Sequence, residues 1–329
     1  TGPADPRDPG LSVPSSAPAF QLRLARDAQD LKAAQRLRYE VFVAELGGDG
    51  PMVDHDARLE TDRFDPFYDH LLLIDPARDP DTLSHVVGVY RLLRGDRAEA
   101  VGQFYSDDEY DLSLLRAGGR PLLELGRSCL HPAYRGGSAM YHLWNGLAEY
   151  VADHGIEILF GTASFHGTDI AALAQPLSHL HHAHLAPPDM RVRPHPHVFQ
   201  RMDLLPPDQI DRKAAMLATP ALIKGYLRMG GYVGDGAFVD HAFNTTDVCL
   251  VMDRPVTPHI TQFVCRAAFR ILGIRHSVRG TPMREGGAVV ANHASWLDIF
   301  ALNAPQRIYF VSKDEVRDWP GIGWLARAT

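Results

Sequence analysis

Cysteine is scarce in this chain. Three occur in 329 residues, Cys129, Cys249 and Cys265, widely spaced and with no CxxC pair. That spacing excludes a disulfide framework and a thiolate zinc site, and it suits a reducing compartment. Long apolar runs are also missing. No stretch of about 18 apolar residues occurs, so no transmembrane helix is expected. Residues 1–19, "TGPADPRDPGLSVPSSAPA", are rich in Pro, Gly and Ser and lack the apolar core of a signal peptide, so a disordered leader is expected there. Acidic residues are absent from Arg254 to Arg284, where six arginines stand (254, 266, 270, 275, 279 and 284). From Val251 on there are ten Lys and Arg against six Asp and Glu, a net +4; the whole chain is −7, which leaves −11 for the rest. A basic segment on an acidic body points to a local anionic partner, and a membrane surface is the natural one. The remaining composition, 45% hydrophobic and 22% charged, is that of a soluble globular protein, and the length allows two domains.

Periodicity alternates along the chain. Residues 29–47 place Leu31, Ala34, Leu37, Val41 and Leu46 near helical spacing, with Gly47 as the stop. "YDHLLLID" and "SHVVGVYRLL" are strand-like. "PLLELGRSCL", residues 121–130, is another strand; it leads through "HPAYRGGSA" into a helix, "MYHLWNGLAEYVADHG". "IEILFGTASF" and "TTDVCLVM" (245–252) are further strands. Strands alternating with helices indicate an α/β sheet, and no internal repeat is visible. Pro255 and Pro258 break the pattern after Met252. A first domain is therefore expected over 20–252 and a second over 253–329. In the second, "HITQFVCRAAFRILGI", about 259–274, is too short to span a bilayer. It is read as an interfacial helix with Arg266 and Arg270 near lipid phosphates, against a core-packed helix with snorkelling arginines.

The second domain opens with "VVANHASWLDIF", which sets His293 five residues before Asp298. A histidine at a strand end and an aspartate one turn into the next helix can face each other. The carboxylate then fixes the imidazole's tautomer, and the other nitrogen takes a proton from a hydroxyl. By spacing alone, a turn-capping histidine and a solvated aspartate would serve as well. "ANHASWLDIF" with "IYFVSKDEVRDWPGIGWLARAT" resembles the start of the lysophospholipid acyltransferase family, whose motif is HxxxxD. The resemblance covers roughly residues 260–329. It implies His293 as general base on an acceptor hydroxyl, Asp298 as its partner, and an acyl thioester as donor. A second motif of that family, which binds the acceptor's head group, is not reached before Thr329. A truncated, inactive O-acyltransferase domain is the expectation.

In the first domain, "LRYEVFVAELG", "LETDRFDPFYDH", "VVGVYRLL" and "LLELGRSCLHPAYRG" set Arg38, Phe42, Asp62, Asp65, Arg91, Glu124 and Arg127 in a characteristic order. That order resembles the autoinducer-synthase-like branch of the GNAT acyltransferases. With "TASFHGTD", "LHHAHLAPPDMRVR" and "HAFNTTDVCLVM", residues 20–252 resemble the bacterial ornithine-lipid N-acyltransferases. The resemblance implies a GNAT-like mixed central sheet flanked by helices. It implies transfer of a 3-hydroxyacyl group from acyl carrier protein to the α-amine of L-ornithine, with no bound cofactor beyond the donor's phosphopantetheine.

Glu124 is the candidate base on the amine, acting directly or through water. Glu124 and Arg127 lie three apart and face opposite sides of a plain strand; a β-bulge between them would place both in a cleft. The alternative is a structural ion pair. Asp62 and Asp65, with Glu60 in the same segment, would supply negative charge for the cationic side chain, or belong to a solvated loop. Arg38 and Arg91 would clamp the substrate carboxylate, or pair with Asp62 or Asp65 to brace the loop. His166 is a further substrate-binding candidate. "YRGGSA" opens the helix after the strand, and its free amides can hold a phosphopantetheine phosphate. Arg135, Gly136, Gly137 and Ser138 are its members, although Ser138 stands where the GNAT signature has Gly.

Other features carry less. His179, His181, His182 and His184 lack a nearby acidic or Cys partner in sequence, so no metal is expected. Ser164, His166 and Asp169 are too crowded for a triad. Cys129 reads as a buried strand residue. Arg135, Arg191, Arg193 and Arg201 would receive the acidic carrier protein, or form a solvated face. No nucleic-acid partner is expected. A cytoplasmic location at the inner membrane surface follows from the basic segment. Two other readings remain: an acyl-homoserine-lactone synthase using S-adenosylmethionine, and a membrane-associated acyl-carrier-binding module without turnover.

Overall fold

The computed structural model describes residues 20–136 and 138–253. The leader 1–19, Gly137, the helix expected near 259–274, His293 and Asp298 lie outside the described residues.

β1 (Gln21–Leu24) is followed by α1 (Ala28–Arg38), whose N-cap Asp27 accepts from the amides of Gln29 and Asp30. The helix expected to run on to residue 47 changes form. Tyr39–Glu45 is a π-helical turn, in which Leu46 N–H reaches back five residues to Val41 O at 3.2 Å. Wide turns of this kind recur at functional sites, and this one presents Phe42 to the cleft described below. A short hairpin of β2 (Val53–Asp54) and β3 (Leu59–Glu60) comes next, then β4 (Asp69–Ile74) and β5 (Val86–Arg94). After α2 (Gly95–Val101), β6 (Tyr110–Asp111) and α3 (Ser113–Ala117) stands β7 (Leu122–Leu130). α4 (Ala139–Asp153) crosses to β8 (Ile158–His166). α5 (Ala174–His184), β9 (Arg193–Pro194), α6 (Arg212–Ala218) and α7 (Ala221–Arg228) precede the closing hairpin of β10 (Tyr232–Asp240) and β11 (Thr245–Asp253).

The main sheet has seven strands in the order β1-β4-β5-β7-β8-β11-β10. Every neighbour is antiparallel except β7 and β8. The expected mixed sheet is thus present. Side chains alternate across it with period two. Leu92, Leu123, Leu125 and Leu250 pack with Leu143 and Leu147 of α4 on one face. Leu93, Leu122, Phe160 and Val251 pack with Phe104 and Leu115 on the other.

Two departures from regularity position the site. First, β7 and β8 pair only at Leu122–Ile158, Leu123–Leu159 and Glu124–Phe160, although both strands run on for six more residues. They part beyond that point. At the fork a Cβ on Gly161 would stand 2.1 Å from Leu125 O, so only glycine permits the approach. Second, Val89 pairs Cys129 while Arg91 pairs Gly126, so two steps on β5 face three on β7. The extra residue is a β-bulge at residues 127–128, with Arg127 at φ +49°.

Candidate active site

The fork between β7 and β8 opens a cleft of about 250 Å³ that reaches both faces of the sheet. One part is apolar, walled by Tyr90, Leu125, Leu159, Leu222, Tyr226 and Leu250. The other is polar, walled by Arg91, Tyr105, Ser106, Glu124, Arg127, Asp240 and Asp247, with Phe42 and Phe243 beside them. The division follows from strand alternation: Tyr90 and Arg91, or Glu124 and Leu125, point to opposite faces.

Beneath the polar part lies a network of three arginines and three carboxylates. Arg38 and Arg91 are wholly buried. Arg38 Nε donates to Glu60 Oε2, and its Nη1 donates to Asp65 Oδ1 at 2.6 Å. Arg91 Nη1 donates to Asp62 Oδ2, and to Asp65 Oδ1 at 3.0 Å. Arg127 Nε donates to Glu60 Oε1 at 3.2 Å, and its Nη2 lies 3.7 Å from Asp62 Oδ2. Gln35 Nε2 and the Asp62 amide complete Asp65. Burial alone would raise the Glu60 carboxyl, but Arg127, Arg38 and Arg91 overcome it and hold it at about 2. Asp65 is likewise held well below the usual carboxylate range by Arg38 and Arg91, against its burial. These residues come together as expected, and they are paired with one another. The arginines are not fully used: among the described residues Arg38 Nη2, Arg91 Nε and Arg91 Nη2 have no hydrogen-bond partner. The free edge of Arg91 lies along Gly126, and its guanidinium stacks on Tyr68 at 4.2 Å. Arg127 lies over Tyr105 at 5.0 Å and Phe243 at 5.4 Å.

Glu124 is held by donors alone. Its oxygens accept from Tyr68 Oη at 2.6 Å, Tyr105 N at 2.8 Å, Ser106 N at 2.7 Å and Ser106 Oγ at 2.6 Å. Burial raises its carboxyl, and those four bonds bring it only part of the way back. The four donors occupy its oxygens, and Tyr68, Tyr105 and Ser106, which supply them, line the cleft beside it.

On the other side of Arg127 lies an acidic group that sequence patterns missed. Asp247 on β11 is 7% exposed, faces the cleft, and its Oδ1 has no hydrogen-bond partner among the described residues. Burial pushes its carboxyl up to about 6, against the pull of Ser164 and Thr245. Asp240 on β10 also lines the cleft and caps the turn amides of Ala242 and Phe243. Glu109 is 8% exposed, with Oε2 unpartnered among the described residues. Burial, then Asp247 and Asp240, raise it well above the usual range. A charged residue near the start of the strand "TTDVCLVM" was the available signal.

The remaining candidates lie elsewhere. His166 is exposed at the end of β8 and does not line the cleft. Arg135 pairs with Glu45 at 2.5 and 2.7 Å. Gly136 has φ +77°, and Ser138 precedes α4 without a side-chain cap bond. Arg193 and Arg201 lie beside Asp235 and Asp203, and Arg191 donates to Ala186 O. The histidines of α5 do meet acids, from distant segments: His182 Nε2 is 3.0 Å from Asp203, and His181 Nδ1 is 3.7 Å from Asp235. His181, His182 and Asp203 are close enough to share a cation. His182 Nε2 also contacts Leu205 O at 3.1 Å, which requires a proton there, and Arg201 supplies Asp203 with positive charge. Asp169 caps Ala171 and Ala172, and no hydrogen bond joins it to Ser164 or His166 among the described residues. Cys129 and Cys249 are free and buried; burial pushes the Cys129 thiol up to about 12, so it is no thiolate nucleophile.

Residues 37–145 match the acetyltransferase (GNAT) domain model, and residues 275–329 match the acyltransferase model. L-ornithine N(alpha)-acyltransferase of Rhodobacter capsulatus is 63% identical over 235 residues, covering 71% of this chain and 90% of that protein. The chain belongs to the L-ornithine N(alpha)-acyltransferase family. The Brucella abortus member is 44% identical over 237 residues, covering 71% of this chain and 84% of that protein. Lyso-ornithine lipid O-acyltransferase of Rhodobacter capsulatus is 72% identical over 76 residues, 23% of this chain and 28% of that protein. The L-ornithine N(alpha)-acyltransferase fold is here a GNAT-like one. The GNAT match holds the arginine–carboxylate network, Glu124, and the start of α4; Asp240 and Asp247 lie beyond it.

Proposed function

We propose that residues 20–252 transfer a 3-hydroxyacyl group from acyl carrier protein to the α-amine of L-ornithine, giving lyso-ornithine lipid. The observation that carries this reading is the fork of β7 and β8. It joins an apolar compartment, suited to an acyl chain, to a charged one, suited to a zwitterionic amino acid. The two reactants then meet at the edge of β7. Beyond Glu124 that edge has no partner on β8, so its amides are free to receive the oxygen of a thioester carbonyl as it becomes an oxyanion.

The substrate ammonium must first lose a proton. Ser106 Oγ takes it while passing its own proton to Glu124, to which it already donates. The raised carboxyl of Glu124 suits that acceptance. The amine nitrogen then bonds to the carbonyl carbon, and collapse of the tetrahedral adduct breaks the carbon–sulfur bond; the proton that the nitrogen sheds goes to the leaving sulfur, which departs as the carrier's thiol. Arg127 and the unpartnered edge of Arg91 hold the substrate carboxylate. Arg38, Glu60, Asp62 and Asp65 fix those two guanidiniums, and Phe42 forms an aromatic wall. The amides after Gly136, at the start of α4, receive the phosphopantetheine phosphate, with Arg135 and Ser138 beside them.

Residues 253–329 form part of a second acyltransferase unit, in which His293 and Asp298 would act on the 3-hydroxyl of the first product. The basic stretch from 254 to 284 would hold the chain at the cytoplasmic surface of the inner membrane. Among the described residues no helix is long and apolar enough to cross a membrane.

A single-turnover assay with 3-hydroxyacyl carrier protein and L-ornithine, read by mass spectrometry, tests the first step. Lyso-ornithine lipid from the parent, and a loss of about a hundredfold or more in Glu124→Ala, is expected. Transfer to S-adenosylmethionine but not to ornithine would move the chain to signal synthesis. An intact thioester with both would leave a binding module.

A further inference from the structure

The reaction just described leaves Asp247, Asp240 and Glu109 without a task. Their arrangement is one that proteins avoid without a cation. Asp247 and Asp240 stand diagonally across the β10–β11 ladder, where Phe238 pairs Asp247 and Asp240 pairs Thr245. Both side chains therefore point to the same face, within reach of one another. Glu109 is brought up behind them by Tyr110, whose hydroxyl donates to Asp247 O at 2.8 Å. Asp247 and Glu109 are each more than nine-tenths buried, and each keeps an oxygen without a partner among the described residues. A buried carboxylate in that state carries a large desolvation penalty. Arg127 is a guanidinium that faces the group, and it is also engaged by Glu60 and Asp62.

The acids expected to hold the substrate's cationic side chain are committed elsewhere. Asp62 and Asp65 are paired with Arg91, Arg127 and Arg38. We propose that Asp247, supported by Asp240 and Glu109, binds the side-chain ammonium of the diamino acid, and that this contact selects ornithine over amino acids with one amine. The proposal rests on the reading of residues 20–252 as an ornithine N-acyltransferase. The α-carboxylate lies on the arginines of β5 and β7, the α-amine lies at the fork, and the side chain runs towards β11. Its ammonium there meets Asp247 Oδ1, which has no donor among the described residues. A monoamino acid would leave that oxygen unpaired, which is the condition under which a binding site rejects an analogue most strongly.

The test compares kcat/KM for L-ornithine with that for L-norvaline, which has the same carbon chain without the second amine. The full chain and a saturating 3-hydroxyacyl carrier protein are used. The wild type should prefer ornithine by about a hundredfold or more. Asp247→Asn should cut that preference below about tenfold, through a higher KM for ornithine, while norvaline stays within about threefold. Melting temperatures confirm that the variant is folded, and Glu109→Gln, a second variant, should show a smaller loss in the same direction. A preference unchanged in both variants, or equal use of the two amino acids by the wild type, overturns the proposal. A wild type that acylates neither amino acid is a different result, and it removes the ornithine reading together with this one.

Discussion

Two sets of carboxylates lie near the arginines of the cleft wall and are held in opposite ways. Glu60 and Asp65 are almost fully buried, yet each lies against two guanidiniums and stays ionised, Glu60 down to about 2. Asp247 and Glu109 are buried nearly as deeply, and both are pushed up, Asp247 to about 6. Burial is common to both sets, so burial does not make the difference. The cations do: three arginines serve the first set, and a shared Arg127 faces the second. A carboxylate surrounded by its own cations braces the fold. Asp247 has the neutral donors Ser164 and Thr245 but no cation of its own, and on the wall of the cleft it is the proposed address for a cation from outside. Glu124 falls between the two, satisfied by four neutral donors and no positive charge.

Breaking the braced set should have the largest effect. Arg38→Met leaves Glu60 and Asp65 buried with too little positive charge, and should lower unfolding stability by about 3–5 kcal/mol in urea titration. A midpoint near that of the wild type would show that the network is not a brace. Glu124→Gln comes next. Its amide nitrogen would face donors rather than acceptors, at about 2–3 kcal/mol by the same measurement.

The unbraced set should respond with the opposite sign. A carboxyl raised in the fold binds a proton that the unfolded chain has released. Stability therefore falls as pH rises from the unfolded value near 3.8 through the folded value near 6. Above that window the penalty is complete. Asp247→Asn should then raise the stability of the free protein at pH 7 by about 1–3 kcal/mol, and the gain should vanish below about pH 4. A variant less stable than the wild type at pH 7 would place Asp247 with the braces. The smallest effect belongs to Arg135→Ala. Its half-exposed pair with Glu45 should contribute less than about 1 kcal/mol to thermal unfolding.

The sheet was legible because its strands are long and strongly patterned. The segments expected at 121–130, 156–165 and 245–252 appear as β7, β8 and β11 within two residues at either end. The helix from residue 29 was legible only to Arg38; nothing in "YEVFVAELG" distinguishes a π-helical turn from an α-helical one. Arg38, Glu60, Asp62, Asp65, Arg91 and Arg127 could be drawn together from their order. Which of them would be consumed by the others could not, because that depends on distances of a few ångströms between separate strands. The β-bulge was anticipated near Arg127 from the need to turn a three-residue spacing to one side. Asp247 escaped notice because a single aspartate in a strand looks solvated until the partner strands on both sides are known. The acidic neighbours of His181 and His182 escaped for the same reason, since Asp235 and Asp203 arrive from other segments.

The claim that the unpaired acids receive a substrate cation is tested most directly by a carbon-13 NMR titration of the Asp247 carboxyl, assigned against Asp247→Asn. The free protein should titrate near 6. Saturating L-ornithine should lower that value by about a unit or more, because a nearby cation favours the carboxylate, and L-norvaline should leave it in place. An Asp247 titration unmoved by ornithine would contradict the account.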